Sequence, residues 1–216
     1  MQKVNAIIKK IASLSNRQTE KRKIQDTQNA LKQFRKPYKL HIGCGLINFL
    51  EWINIDIEEQ PGIVNLVWDV SNGLSFLESA SCDLIYNEHF LEHLTIDCAK
   101  VFLSESYRVL RPNGTLRIAM PSLEYVIDKY KSGNWREQDW LKLDEYQFIL
   151  TKAEMINIAF RWWGHQWLYD REELHRRLRE AGFRKIKDVN WGSSEILELR
   201  NLETRKDSLL ICEAQK

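Results

Sequence analysis

The chain has 216 residues, 44% apolar and 29% charged, with nine Gly and four Pro. That composition excludes wholesale disorder and collagen-like repeats, and no apolar run approaches the roughly 20 residues that span a bilayer. Residues 1–36 carry ten Lys/Arg against two acids, a net +8, so 37–216 must hold −6 for the whole chain to reach +2.

The basic segment 1–36 is therefore expected to be a helical arm distinct from the body. Within it Val4, Ile7, Ile8, Ile11 and Leu14 recur at helical spacing beside Lys3, Lys9 and Lys10. Three readings stand: a helix packed on the body or left mobile, a helix lying on an anionic membrane surface, or a nucleic-acid arm. The acidic balance of the body argues against a large polyanion footprint. The start lacks a secretory apolar region with a small-residue cleavage site.

From Tyr38 apolar runs alternate with helical patterns. Tyr38–Ile42 reads as a strand ending in Gly43-Cys44-Gly45, Trp52–Asp56 as a second strand, Ile63–Val67 as a third and Asp83–Tyr86 as a fourth. Ile96–Leu110 is helical, capped by Thr95 with Asp97 in its first turn. Pro112-Asn113-Gly114 then turns the chain into a fifth strand, Thr115–Met120. A helix over Ser122–Lys131 follows. Asp170-x-x-Glu173 opens another that runs to Ala181 and stops at Gly182. Phe183–Val189 and Leu209–Cys212 supply the last strands. This alternation predicts an α/β fold with a doubly wound, mostly parallel seven-stranded sheet over 37–216, covered on both faces.

Residues 134–170 break the alternation and hold nine of the 23 aromatics. An α/β connection needs only a few residues, so this insertion after the fifth strand reads either as a helical substrate lid or as a second packing cluster.

Polar residues collect at the strand ends. Gly43-x-Gly45 brings bare backbone close to a ligand and offers amide donors. The third glycine of a dinucleotide fingerprint is missing, which argues against a pyrophosphate cofactor. Asp56 can accept both hydroxyls of a ribose, and Asp69 can accept from an adenine amine with Ile57 and Val70 beside the base. After the fourth strand come Asn87, His89 and His93. His89 and His165 are candidate bases; His165 and Arg161 also have packing or solvated alternatives. Cys44, Cys82, Cys98 and Cys212 lie far apart without a CxxC pair, suggesting neither zinc nor disulfides. No metal site is expected, and reduced thiols fit a cytoplasmic protein, membrane-peripheral if the arm meets lipid.

Leu40–Gly45, Trp52–Asp56, Asp69, Leu91-Glu92-His93-Leu94 and Tyr107-Arg108-Val109-Leu110-Arg111-Pro112-Asn113-Gly114 together resemble class I S-adenosylmethionine-dependent methyltransferases. Tyr169–Phe183 resembles them more loosely. The likeness is nearest to methyltransferases associated with polysaccharide and glycan biosynthesis, which is association rather than mechanism. It implies that Gly43, Cys44 and Gly45 line the methionine portion of S-adenosylmethionine. Asp56 would hold the ribose, Ile57 would pack on adenine, Asp69 and Val70 would meet its edge, and Asn87 would border the sulfonium side. His41 stands where the family carries an acid, so the ligand's amino group needs another partner. The expected reaction is methyl transfer to an oxygen or nitrogen of a small-molecule or glycan-like acceptor, with the oligomeric state left open. A catalytically inactive binding protein and a nucleic-acid methyltransferase are the rival readings.

Overall fold

The computed structural model describes residues 18–216. The Val4–Leu14 stripe lies outside the described residues. The basic segment enters as helix α1 over 18–31, whose Ile24, Ala30 and Leu31 pack on the main core. Gln28 also donates to the Phe76 carbonyl, 3.4 Å away.

Seven strands follow: β1 (Tyr38–Ile42), β2 (Ile53–Asp56), β3 (Leu66–Val67), β4 (Cys82–Glu88), β5 (Leu110–Met120), β6 (Lys185–Asp188) and β7 (Leu210–Gln215). They form one sheet in the order β3-β2-β1-β4-β5-β7-β6. The sheet is mixed, because β7 pairs antiparallel with both β5 and β6 while the other pairings are parallel. From β6 the chain returns directly to β7 without a crossover helix, and such a return makes an antiparallel neighbour. The chain leaves β1 toward β2 on one side while β4 pairs on the other, so a crevice opens where the strand order reverses.

Alternating side chains put Leu40, Ile42, Ile85, Leu116, Ile118 and Cys212 on one face of the sheet. Each such aliphatic residue contributes about 1.5–3 kcal/mol by leaving water. That face is covered by α1, by α2 (Ile96–Val109) and by α5 (Arg171–Ala181). Thr95 caps α2 by accepting from the Cys98 N–H. Asp170 caps α5, which ends on left-handed Gly182. A Cβ on Gly182 would lie 3.0 Å from the Tyr107 ring.

The second face departs from the doubly wound expectation. Its cluster of Trp52, Leu84, Tyr86, Ala119, Leu199 and Ile211 is completed by Phe49, Val189, Ile196 and Leu202. Among the described residues no α-helix contributes to it. The segment 189–208 lies there instead, tied down by charge. Fully buried Arg117 pairs with Glu203 and Glu213 at 2.6 and 2.5 Å, and Glu203 accepts from the Gly192 N–H.

Strand ends shift for identifiable reasons. β3 shrinks to two residues because Ile63 and Val64 turn back onto the Gln60 carbonyl. β5 begins five residues early because Asn113 and Gly114 bond the backbone of Lys216. β4 runs on through Asn87 and Glu88, which face Ile118 and Ala119 of β5.

After β5 come α3 (Leu123–Lys131), a string of short turns, and α4 (Lys152–Arg161) with a Thr151/Glu154 capping box. Val126, Leu141, Ile149, Met155, Ile158 and Ala159 give this part its own small core.

Candidate active site

Two cavities open at the C-terminal ends of β1, β2 and β4, and they meet at His89 and His93, which line both. The first, of about 400 Å³, is bounded by Gly43, Asp56, Ile57, Asp69, Val70 and Phe90, among others. Five of the eight residues expected to hold the nucleoside therefore share one cavity. Cys44 and Gly45 continue the same turn outside its lining. Asn87 lies beside it, fully buried at the end of β4, with neither side-chain polar atom hydrogen-bonded to protein.

The expectation of free amide donors at the glycine turn does not hold. The N–H groups of Gly43 and Cys44 both donate to the Ile55 carbonyl, and that of Gly45 donates to Asp56 Oδ2 at 2.8 Å. Pairing with β2 consumes them. What Gly43 supplies is space: its φ is +65°, and a Cβ there would stand 2.6 Å from the Phe90 ring. Asp56 also accepts from the Glu58 N–H through Oδ1, so its carboxylate is held by two backbone donors with lone pairs to spare. Asp69 caps a short turn at Ser71 and accepts from Asn72.

His41 does not reach the cavity. It is buried, bonds Asn54 Oδ1 through Nδ1 at 3.0 Å, and stacks on Phe49 with ring centroids 4.2 Å apart. Asn54 Oδ1 also accepts from the Phe49 N–H, so the His41 nitrogen facing it donates. Burial pushes this imidazole down to about 4, and it is neutral in the fold.

The second cavity, of about 480 Å³, is lined by His89, His93, His165, Arg205, Asp207 and an aromatic wall. Trp140, Tyr146 and Trp163 build that wall by mutual edge-to-face contacts, with ring centroids 5.4–5.7 Å apart. The aromatic insertion thus has a core of its own and also faces the cleft. His89 adopts a left-handed φ of +48°, which aims its ring between Glu92 and Asp207, each 3.6 Å away. Its Nε2 has no hydrogen-bond partner. Burial pushes His89 and His93 down to about 4 and lowers His165 as well. Arg161 is exposed and lines neither cavity.

Sequence reasoning missed Glu92, Arg205 and Asp207. Glu92 is only 1% exposed, neither carboxyl oxygen has a partner, and burial pushes it up to about 8. The repeated Glu88-His89-x-x-Glu92-His93 is the signal that could have found it. Arg205 and Asp207 lie in a loop held by Glu88, which accepts from the Thr204 and Arg205 N–H groups and from the Thr204 and Ser208 hydroxyls. These bonds hold the Glu88 carboxyl below the usual range against the upward push of burial.

Residues 40–118 match a family model described as a methyltransferase domain. The first cavity is lined from within that matched segment, whereas the second draws its aromatic wall and its Arg205 and Asp207 from outside it. No curated protein matches the sequence.

Solved structures share the fold. A SAM-dependent methyltransferase from Archaeoglobus fulgidus is similar at 20% identity, over 89% of this chain and 94% of that one, with a TM-score of 0.55. A possible histamine N-methyltransferase from Thermotoga maritima is similar at 18% identity, over 89% of each chain, with a TM-score of 0.53. A putative O-methyltransferase from Nostoc punctiforme is similar at 12% identity, over 89% of this chain and 55% of that one, with a TM-score of 0.50. No helix among the described residues is long and apolar enough to cross a membrane.

Proposed function

We propose that this chain is a methyltransferase that uses S-adenosylmethionine to methylate an oxygen or nitrogen of a small-molecule or glycan-like acceptor. The observation that carries the reading is the shared wall: the cavity holding Asp56 and Asp69 and the aromatic cavity meet at His89 and His93. Their volumes fall in the range of ordinary ligand pockets, roughly 300–1,000 Å³.

In this reading the donor lies in the first cavity. The turn Gly43-Cys44-Gly45 accommodates its methionine portion by shape, since its amides are spent. Asp56 accepts from the ribose hydroxyls, Ile57 packs on adenine, and Asp69 and Val70 meet the adenine edge. Asn87, whose amide group has no protein partner, borders the methionine portion.

The donor is a sulfonium, so its methyl group is already activated. The acceptor atom forms the new bond to carbon as the carbon–sulfur bond breaks and the sulfur leaves as a neutral thioether. The protein's task is then alignment and exclusion of water, which can lower a barrier by about 7–11 kcal/mol. A base that takes the acceptor's proton adds roughly 10²–10⁴-fold. His89 and His165 are the two candidates. His89 stands at the meeting point of the cavities, with Nε2 free of hydrogen bonds. His165 uses Nδ1 to donate to the Ala159 carbonyl at 2.9 Å, which leaves Nε2 as the basic nitrogen.

Calorimetric titration with S-adenosylmethionine tests the first half. The wild type should bind it. Asp56→Ala should bind about 30-fold more weakly, the worth of roughly 2 kcal/mol for hydrogen bonds to a charged group. Absence of binding at millimolar donor overturns the proposal, and equal affinity of the variant removes Asp56 from the ribose site.

A further inference from the structure

Glu92, His93 and His165 come together at the wall of the aromatic cavity: His93 and His165 line it, and Glu92 is buried behind them. Each offers one ligand atom, and these atoms all lie within 4.8 Å of one another. A second observation is independent of that spacing: the Glu92 carboxyl is all but fully buried, and neither oxygen is hydrogen-bonded to protein. A buried carboxyl normally finds partners, because leaving it without them costs several kcal/mol. Aspartate and histidine neighbours do not provide them. Asp207 is itself an acceptor, and the nearest imidazole nitrogen, His89 Nδ1, stands 3.6 Å from Glu92 Oε1, too far for a hydrogen bond.

The backbone fixes this group in advance. The N–H groups of Gln166 and Trp167 both donate to the Glu92 carbonyl, at 2.8 and 3.1 Å. That pair joins the turn holding Glu92 and His93 to the segment holding His165. His165 Nδ1 donates to the Ala159 carbonyl, and a carbonyl can only accept, so Nε2 is left with its lone pair outward; where that lone pair holds an ion, His89 is the candidate base that remains. Metal-binding histidines show this same orientation by a carbonyl on the opposite ring nitrogen. The His93 and His165 rings stand edge to face with centroids 4.9 Å apart, a spacing that lets two imidazole nitrogens approach one ion from different directions. Trp163 holds a left-handed φ of +54° immediately before Gly164 and His165, a strained turn of the kind that persists where surrounding contacts impose it.

We infer that Glu92, His93 and His165 form a binding site for one divalent transition-metal ion, with an open coordination position facing the aromatic cavity. Two imidazoles and one carboxylate are a donor set suited to Zn²⁺, Co²⁺ or Fe²⁺ rather than to Mg²⁺ or Ca²⁺, which take oxygen ligands. Three protein ligands with one position left over is the arrangement of a site that also takes a substrate atom. That the substrate atom is an oxygen of the methyl acceptor rests on the assignment of the aromatic cavity as the acceptor pocket. The ion site itself does not depend on it. His89, Arg205 and Asp207 line the open side.

The test uses the full chain, stripped with chelator and titrated with Co²⁺ or Zn²⁺ alone, without methyl donor. One equivalent of Co²⁺ should bind with visible d–d absorption of low-symmetry nitrogen and oxygen coordination. His165→Ala and Glu92→Gln should each weaken binding by about 100-fold or more, since even outer partners of metal ligands are worth 10–100-fold. His175→Ala should leave binding unchanged, because His175, Asp188 and Cys212 form the other cluster with ligand spacing among the described residues. Absence of binding by the wild type at millimolar metal overturns the inference, whatever the variants do. So does binding lost in His175→Ala and kept in His165→Ala. Donor titration of the same stripped protein is a separate measurement, so a failed metal site leaves the methyl-transfer reading intact.

Discussion

The two cavities are built in different ways. The first cavity is assembled mostly from neighbours in sequence: the turn after β1, the tip of β2 and the residues following β3 lie between Gly43 and Ser71, and only His89, Phe90, His93 and Leu94 come from farther along. The aromatic cavity is assembled from afar. His89 and His93 come from the chain after β4, His165 from the aromatic insertion, and Arg205 and Asp207 from the long return between β6 and β7. Glu88 holds that return across a separation of 116 residues. A short-range construction carries its signature in spacing, whereas a long-range one is specified by packing and charge that only the folded sheet brings together.

The largest expected effect on that contrast is at Arg117. Arg117→Met leaves Glu203 and Glu213 buried without their cation, at a cost of about 3–5 kcal/mol. Urea unfolding should show that loss. Any protein that remains folded should have a raised acceptor KM and an unchanged donor affinity, because Glu203 anchors the return that carries Arg205 and Asp207. Equal losses at both sites would mean the cavities are not separately supported.

A somewhat smaller effect is expected from His41, buried in β1 behind the first cavity. Its folded value of about 4 lies below the ordinary 6.5, so the unfolded chain takes up the proton first. The stability it supports is complete above about pH 6.5 and falls by up to about 3 kcal/mol as pH drops toward 4. His89 and His93 lose stability over the same window for the same reason. The share of His41 is therefore the difference between the wild type and His41→Gln in denaturant unfolding across that range. Parallel pH curves for the two proteins would place the imidazole outside the core.

How much could be read in advance follows the same division. Strand β1, helix α2 with its Thr95 cap, and helix α5 with Asp170 and Gly182 were legible, because their signals lie within a few residues. That Asp56, Ile57, Asp69 and Val70 come together was legible for the same reason, and the structure places the four in the lining of one cavity. The spent amides of Gly43 and Cys44 were not, since their acceptor is the Ile55 carbonyl on the neighbouring strand. Nor was the mixed sheet, because nothing local in Leu210–Gln215 states the direction in which that strand will insert. The absence of CxxC pairs argued against a zinc site, but it is silent on Glu92, His93 and His165. Their convergence depends on the Glu92 carbonyl being met by the backbone of Gln166 and Trp167.

A crystal structure of the full chain with S-adenosylhomocysteine tests the central claim most directly. The account predicts the ribose hydroxyls on Asp56, the adenine beside Ile57 and Val70, and the sulfur pointing across the His89–His93 wall into the aromatic cavity. A nucleoside seated elsewhere, or a sulfur turned away from that wall, would contradict it.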